Sequence, residues 1–156
     1  MKMTSLCYLE KDGKYLMLHR TVKENDENHD KWIGIGGKFE YGESPEECAI
    51  REIYEETGLI VTSLNYRGIV TFLSNEWGCE YMHLFTSTSW IGEINTLCDE
   101  GELEFIDKDK LLSMNIWEGD KIFLRKIQNP SPFFSLKLVY NKDTLEAAIL
   151  DGERIV

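Results

Sequence analysis

The chain lacks every cysteine arrangement that would make a disulfide framework or a structural zinc site. Cys7, Cys48, Cys79 and Cys98 include no Cys-x-x-Cys pair. They read as free thiols of a reducing compartment. His19, His29 and His83 are equally scattered, and none pairs with another histidine or a cysteine at metal-ligand spacing. No apolar run is long enough to cross a bilayer. The start, "MKMTSLCYLEKDGK", has no signal-peptide core, because Glu10 and Lys11 interrupt it. These absences give the expectation of a cytoplasmic protein with no membrane partner. Positive charge is scarce too: 17 Lys and Arg face 28 Asp and Glu, a net charge of −11. A surface for a nucleic-acid polymer needs lysine and arginine, so that partner is excluded. The acidic balance suits plain solubility, and equally a hard divalent cation with a small charged substrate.

There is also no repeat, no low-complexity tract and no linker. With 156 residues, 42% hydrophobic and 29% charged, residues 1–156 read as one globular domain with a true core. "TSLCYLE" and "KYLMLHR" flank Asp12-Gly13 and predict a hairpin. "TVKENDENHDK" predicts an exposed loop, and "WIGI" a short strand. Ser44, Pro45 and Glu47 spell an N-cap, a first-turn proline and a capping box. The helix they open runs to Thr57 and stops at Gly58, with Ala49, Ile50, Ile53 and Tyr54 as its buried stripe. Strands follow over roughly 60–73 and 79–88, then "ELEFID". "KDKLLSM" is a short helical turn, and "EGDKIFLRKIQN" an amphipathic helix ending at Asn129-Pro130. The tail predicts a hairpin across Asn141–Asp143, although "TLEAAIL" is also helical by propensity. The expectation is an α+β sandwich around a mixed sheet.

Glu52, Glu55 and Glu56 stand at i, i+3 and i+4 of the first helix. They share one face within about 6 Å of helical rise. Glu46 and Glu47 are explained by the helix N-terminus, which favours acids. The later three gain nothing from the dipole, and like charges at this spacing repel. They become useful around a hard cation, since carboxylates are ligands for Mg²⁺ and Mn²⁺. The alternative is a solvated acidic face. Arg51 has two possible partners, Glu55 one turn on or Glu43 in the preceding loop.

The order of these residues resembles the Nudix box. Gly37, five residues, Glu43, seven residues, Arg51-Glu52, Ile53, one residue, Glu55-Glu56, one residue and Gly58-Leu59 fill every fixed position. The resemblance implies an α/β/α sandwich around a mixed β-sheet. It also implies hydrolysis of a nucleoside diphosphate linked to another group, with Mg²⁺ or Mn²⁺ as cofactor. It makes Glu52 and Glu56 the main metal ligands, adds Glu55, and completes the site with the Gly36 carbonyl. Glu52 or Glu56 takes the proton from the attacking water, with Arg51 and Glu43 as their companions in the catalytic set, and Gly37 and Lys38 border the substrate.

Beyond the box, the chain resembles the MutT-type branch, and within it the hydrolases of oxidised purine nucleoside triphosphates such as 8-oxo-dGTP. "CDEGELEF" places Glu100 as a further metal ligand. "WEGDKIF" resembles a base-binding segment, with Trp117 stacking on the purine and Asp120 reading its edge. Two positions depart from that branch. Ile33 replaces an asparagine that contacts the base, and Gly119 replaces the first of two adjacent aspartates. Losing polar readers relaxes or redirects base recognition. Trp117 also reads as a core anchor, and Asp120 as a helix N-terminal charge. Trp32 reads as wall or core, while Trp77 and Trp90 carry no functional signal. The resulting expectation is a nucleoside triphosphate pyrophosphohydrolase that sanitises the nucleotide pool. Its alternatives are a hydrolase of nucleotide-sugars or dinucleotides such as ADP-ribose, and a non-catalytic nucleotide sensor. The sequence leaves the oligomeric state open.

Overall fold

The hairpin predicted at Asp12-Gly13 opens the structure. Both residues have positive φ, 53° and 74°, as a tight two-residue turn requires. They join β1 (Lys2–Lys11) to β2 (Lys14–Arg20). The computed structural model describes residues 1–22, 24–95 and 97–156, apart from the side chains of Leu97 and Cys98. Lys23 of the predicted loop and the thiol of Cys98 therefore lie outside the described residues. Cys7, Cys48 and Cys79 are free thiols.

After β3 (Trp32–Ile33), β4 (Ile35–Lys38) runs antiparallel to the first half of β1, with Leu6 opposite Gly36 and Ser5 opposite Gly37. The approach is close: a Cβ on Gly36 would lie 1.8 Å from the Ser5 carbonyl oxygen. The other edge of β1 pairs in parallel with β7, introduced below.

Helix α1 (Pro45–Thr57) starts and stops where the sequence predicts. The Ser44 hydroxyl accepts from the Glu47 N–H at 3.1 Å, and the Glu47 carboxylate accepts from the Ser44 N–H at 2.9 Å. Gly58, at φ 81°, closes the last turn. The buried stripe is rotated from the one expected. Cys48, Ala49, Ile53 and Thr57 are buried, while Ile50 and Tyr54 are 41% and 57% exposed. Glu52 and Glu56 are half-buried beside that stripe, which turns Ile50 and Tyr54 outward.

The remaining elements are β5 (Ile60–Val61), β6 (Asn65–Ser74), β7 (Gly78–Ser87), β8 (Trp90–Ile91), β9 (Leu97–Cys98) and β10 (Gly101–Asp107). Then come α2 (Lys108–Leu111), α3 (Glu118–Ile127), β11 (Phe134–Asn141), β12 (Thr144–Leu150) and β13 (Glu153–Arg154). The stretch 60–73 is thus two strands, because β5 leaves to pair with β8. "TLEAAIL" is the strand β12: six of its seven residues register against β11 and override a helical propensity worth only tenths of a kcal/mol per residue.

Among the described residues, eleven strands join in one mixed sheet whose main path runs β13-β12-β11-β6-β7-β1-β2-β10-β9. Alternate residues of β1 feed two cores. Cys7 and Leu9 pack with Ala49 and Ile53 of α1. Tyr8 packs with Phe123, Leu124 and Ile127 of α3. The helices therefore cover opposite faces, giving the α/β/α sandwich.

The Ser44 cap is testable by itself. Ser44→Ala should cost about 1 kcal/mol, read as a fall of roughly 3 °C in Tm, with the fold retained.

Candidate active site

Arg51 gathers the end of β4, the loop after it and the glutamate face of α1. Its Nε and Nη2 donate to the two Glu43 oxygens at 2.7 and 2.9 Å. Nη2 also donates to the Lys38 carbonyl at 2.9 Å. Nη1 donates to Glu52 at 2.8 Å and to Glu55 at 3.2 Å. Arg51 thus takes both partners open to it on sequence. Its guanidinium holds the Glu43 carboxyl down at about 2, chiefly through the paired hydrogen bonds.

Gly37 gives Glu52 its place. A Cβ there would come within 2.5 Å of the Glu52 carboxyl carbon, so the carboxylate rests directly on bare backbone. Glu56 accepts from the Gly36 N–H at 3.2 Å. Burial raises the Glu56 carboxyl well above the ordinary range, helped by the adjoining Glu100 carboxyl and by Glu52. Burial raises Glu52 as well, against the pull of Arg51. Glu100 is anchored at 3.1 Å by Arg20, which also holds Asp26 at 2.9 Å. Glu55 stands apart, 55% exposed on the outer side of Arg51.

Among the described residues, no group of three or more His, Cys, Asp or Glu side chains is drawn tightly enough to hold a metal ion as it stands. The donor set nevertheless fits a hard dication. Glu52, Glu56 and Glu100 all offer oxygen ligands, and the carboxyls of Glu52 and Glu56 are raised by burial first and by neighbouring carboxylates second. A dication would relieve that repulsion.

Glu52, Gly36, Gly37 and Glu100 line a cavity of about 830 Å³. Ile33, Lys38, Trp117 and Asp120 line it too. Trp117 combines its two readings: it is buried, edge-on to Phe72 and Tyr140, and its indole N–H donates to Asn28 at 2.8 Å. Asp120 is buried, and burial raises its carboxyl to about 8. Gly119 has a packing cause. Its N–H donates to the Tyr140 hydroxyl at 2.7 Å, and a Cβ would meet Leu138 at 2.5 Å. Trp32 does not line the cavity; it stacks on His19 with ring centroids 4.4 Å apart.

The fold and the box together define the class: the chain belongs to the Nudix family, whose NUDIX domain matches residues 3–127. Hydrolases of this family generally use divalent metal ions and act on small nucleotide substrates. An oxidized purine nucleoside triphosphate hydrolase of Danio rerio is 31% identical over 120 residues, 76% of this chain and 74% of that one. An uncharacterised Nudix hydrolase of Bacillus subtilis is 30% identical over 121 residues, 73% of this chain and 71% of that one. A MutT protein of Bacillus halodurans has the same fold at TM-score 0.86 and 26% identity, over 98% of this chain and 99% of that one. Among the described residues no helix is long and apolar enough to cross a membrane.

Sequence reading passed over several cavity residues. Lys2, Thr4, Asn28, Trp77 and Glu80 all line it. Asp26, Glu27 and Asn28 are half-buried, so the loop expected to be wholly exposed folds inward there. No local pattern marks these positions. They meet because β1, the loop and the start of β7 are brought side by side by the sheet.

Asp120 carries a pH signature. Its folded value, about 8, lies above the ordinary 3.8. Its contribution to stability is therefore complete below about 4 and is lost as pH rises through about 8. Melting curves should show Asp120→Asn gaining on the wild type between pH 5 and pH 9, with the gap changing little below pH 4. A gap independent of pH would remove the buried-acid assignment.

Proposed function

We propose that this chain is a Mg²⁺- or Mn²⁺-dependent pyrophosphohydrolase of nucleoside triphosphates, with oxidised purine nucleotides as its preferred class. Water attacks a phosphorus, and a nucleoside monophosphate and pyrophosphate leave. The observation that carries this reading is the junction of a half-buried glutamate cluster with an aromatic-walled cavity that Asp120 also lines. The likeness to the Danio rerio enzyme supports the substrate class. We read residues 1–156 as one working unit, because β11 extends the sheet beside β6 beyond the family match.

Glu52, Glu56 and Glu100, with the Gly36 carbonyl, would hold the cation, and Glu55 lies nearby as a further carboxylate. When bound, the dication offsets phosphate charge and lowers the pKa of water. The protein's own residues do the remaining work. Arg51 keeps Glu52 in one orientation and ties it to Glu43, so the carboxylate is positioned before substrate arrives. Gly37 leaves open backbone beside Glu52, where a side chain would block approach. Glu52 or Glu56 accepts the water proton. Lys38 lines the same cavity and offers positive charge to a polyphosphate. Trp117 and Ile33 form apolar wall, and Asp120 offers a polar edge to the base. Pool sanitation in the cytoplasm is the role that follows.

Pyrophosphate release from a panel tests the reading: the ordinary nucleoside triphosphates, 8-oxo-dGTP, ADP-ribose and a dinucleoside polyphosphate. The highest kcat/KM should fall on 8-oxo-dGTP. Strongest activity on ADP-ribose would discard the substrate while keeping the chemistry. Glu56→Gln should abolish turnover with circular dichroism unchanged, and near-wild-type activity would sink the glutamate cluster as the reacting centre.

A further inference from the structure

The cavity also contains a half-buried carboxyl to which the reaction above gives no role. Glu80 lies near the start of β7, and its side chain is 14% exposed. Its Oε2 accepts from the Thr4 hydroxyl at 2.8 Å. Its Oε1 has the Lys2 ammonium at 3.6 Å, beyond hydrogen-bond length. Lys2 is nearer Glu27, at 3.0 Å. A carboxylate offers about four acceptor sites, and Thr4 fills one. Glu80 is thus oriented by Thr4 and by its ion pair with Lys2, and the rest of its acceptor capacity is open to the cavity it lines. That open capacity can take a hydrogen-bond donor from a ligand in the cavity.

Two further features say what partner. Asp120 lines the same cavity from the first turn of α3, and the charge on Glu80 is felt there. Phe72, Trp77, Met82 and Trp117 supply broad apolar wall around both acids. Flat walls with carboxyls at the edge suit a planar ring that carries hydrogen-bond donors on its rim. The N1–H and 2-amino groups of a guanine-type base are adjacent donors, and a single carboxylate accepts both. The corresponding edge of adenine presents no such pair.

We propose that Glu80 is a specificity-determining residue that accepts hydrogen bonds from the N1–H and 2-amino edge of a guanine-type base, opposite Asp120. This rests on the nucleoside triphosphate reading. It supplies an acid from β7 where Gly119, packed against Leu138 and Tyr140, has no room for one. The competing role is a clip: Lys2, Thr4, Glu27 and Glu80 would simply tie β1 to the loop and to β7.

The test compares kcat/KM for a guanine nucleoside triphosphate and its hypoxanthine counterpart with the same C8 substituent, which differ only in the 2-amino group. Glu80→Gln keeps an acceptor for Thr4 but replaces one carboxylate oxygen with a donor. It should lose roughly tenfold or more on the guanine nucleotide and less than about threefold on the hypoxanthine one, as expected for one paired contact. Equal loss on both, or no loss on either, overturns the proposal, the first in favour of the clip. A wild type that turns over neither nucleotide overturns the triphosphate reading itself. If Glu80→Gln fails to fold, Glu80→Asp keeps the charge but withdraws it by one methylene. It is then read by the same ratio and the same outcomes.

Discussion

Arg51 is the cation that lets glutamates of a loop and a helix share one small space. It binds Glu43, Glu52 and Glu55 directly and also takes the Lys38 carbonyl. Two of its arms face Glu43, which fixes the loop; one faces Glu52, which fixes a carboxylate at the cavity. Without that guanidinium, the same residues would repel and the helix face would splay. Arg suits the position because its planar fork holds several acceptors at fixed angles, which a lysine ammonium cannot do.

Arg51 neutralises only part of the cluster. Glu56 and Glu100 adjoin each other away from it, and burial disfavours the ionised form of Glu56. An acid in that state costs stability unless a cation or a proton is present. The site therefore stores an electrostatic demand that binding can meet. The pattern recurs at Asp120 and Glu80, which line the cavity and are both raised by burial. One protein thus keeps two sets of acids that burial raises.

The box, the cap and the hairpin were legible in the sequence because each is a local code. Ser44, Pro45, Glu47 and Gly58 act within one helix, and Asp12-Gly13 within one turn. The glutamate spacing is equally local, and it brought Glu52 and Glu56 to the side of α1 that faces Gly36 and Gly37. Helix rotation was not legible. Ile50 and Tyr54 look like core residues by hydropathy, yet tertiary contacts turned the helix about its glutamates instead. The cavity wall was hidden for a different reason. Lys2, Asn28 and the Trp77–Glu80 stretch lie far apart in the chain, and only the pairing of β1 with β7 and the inward fold of the loop unite them. The departure at Gly119 became intelligible only once Tyr140 was seen to occupy the space from β11.

Glu52, Glu56 and Glu100 are the half-buried carboxyls proposed to hold a hard dication. Thermal melting in chelator and in Mg²⁺ tests that role without any substrate. For the wild type, saturating Mg²⁺ should raise Tm by several degrees, since a ligand at about 100 times its Kd adds roughly 2.7 kcal/mol. The double variant Glu52→Gln, Glu56→Gln should melt higher than the wild type in chelator, because the repulsion is gone, and should not respond to Mg²⁺. A wild type indifferent to Mg²⁺, or an equal rise in both proteins, would contradict the account.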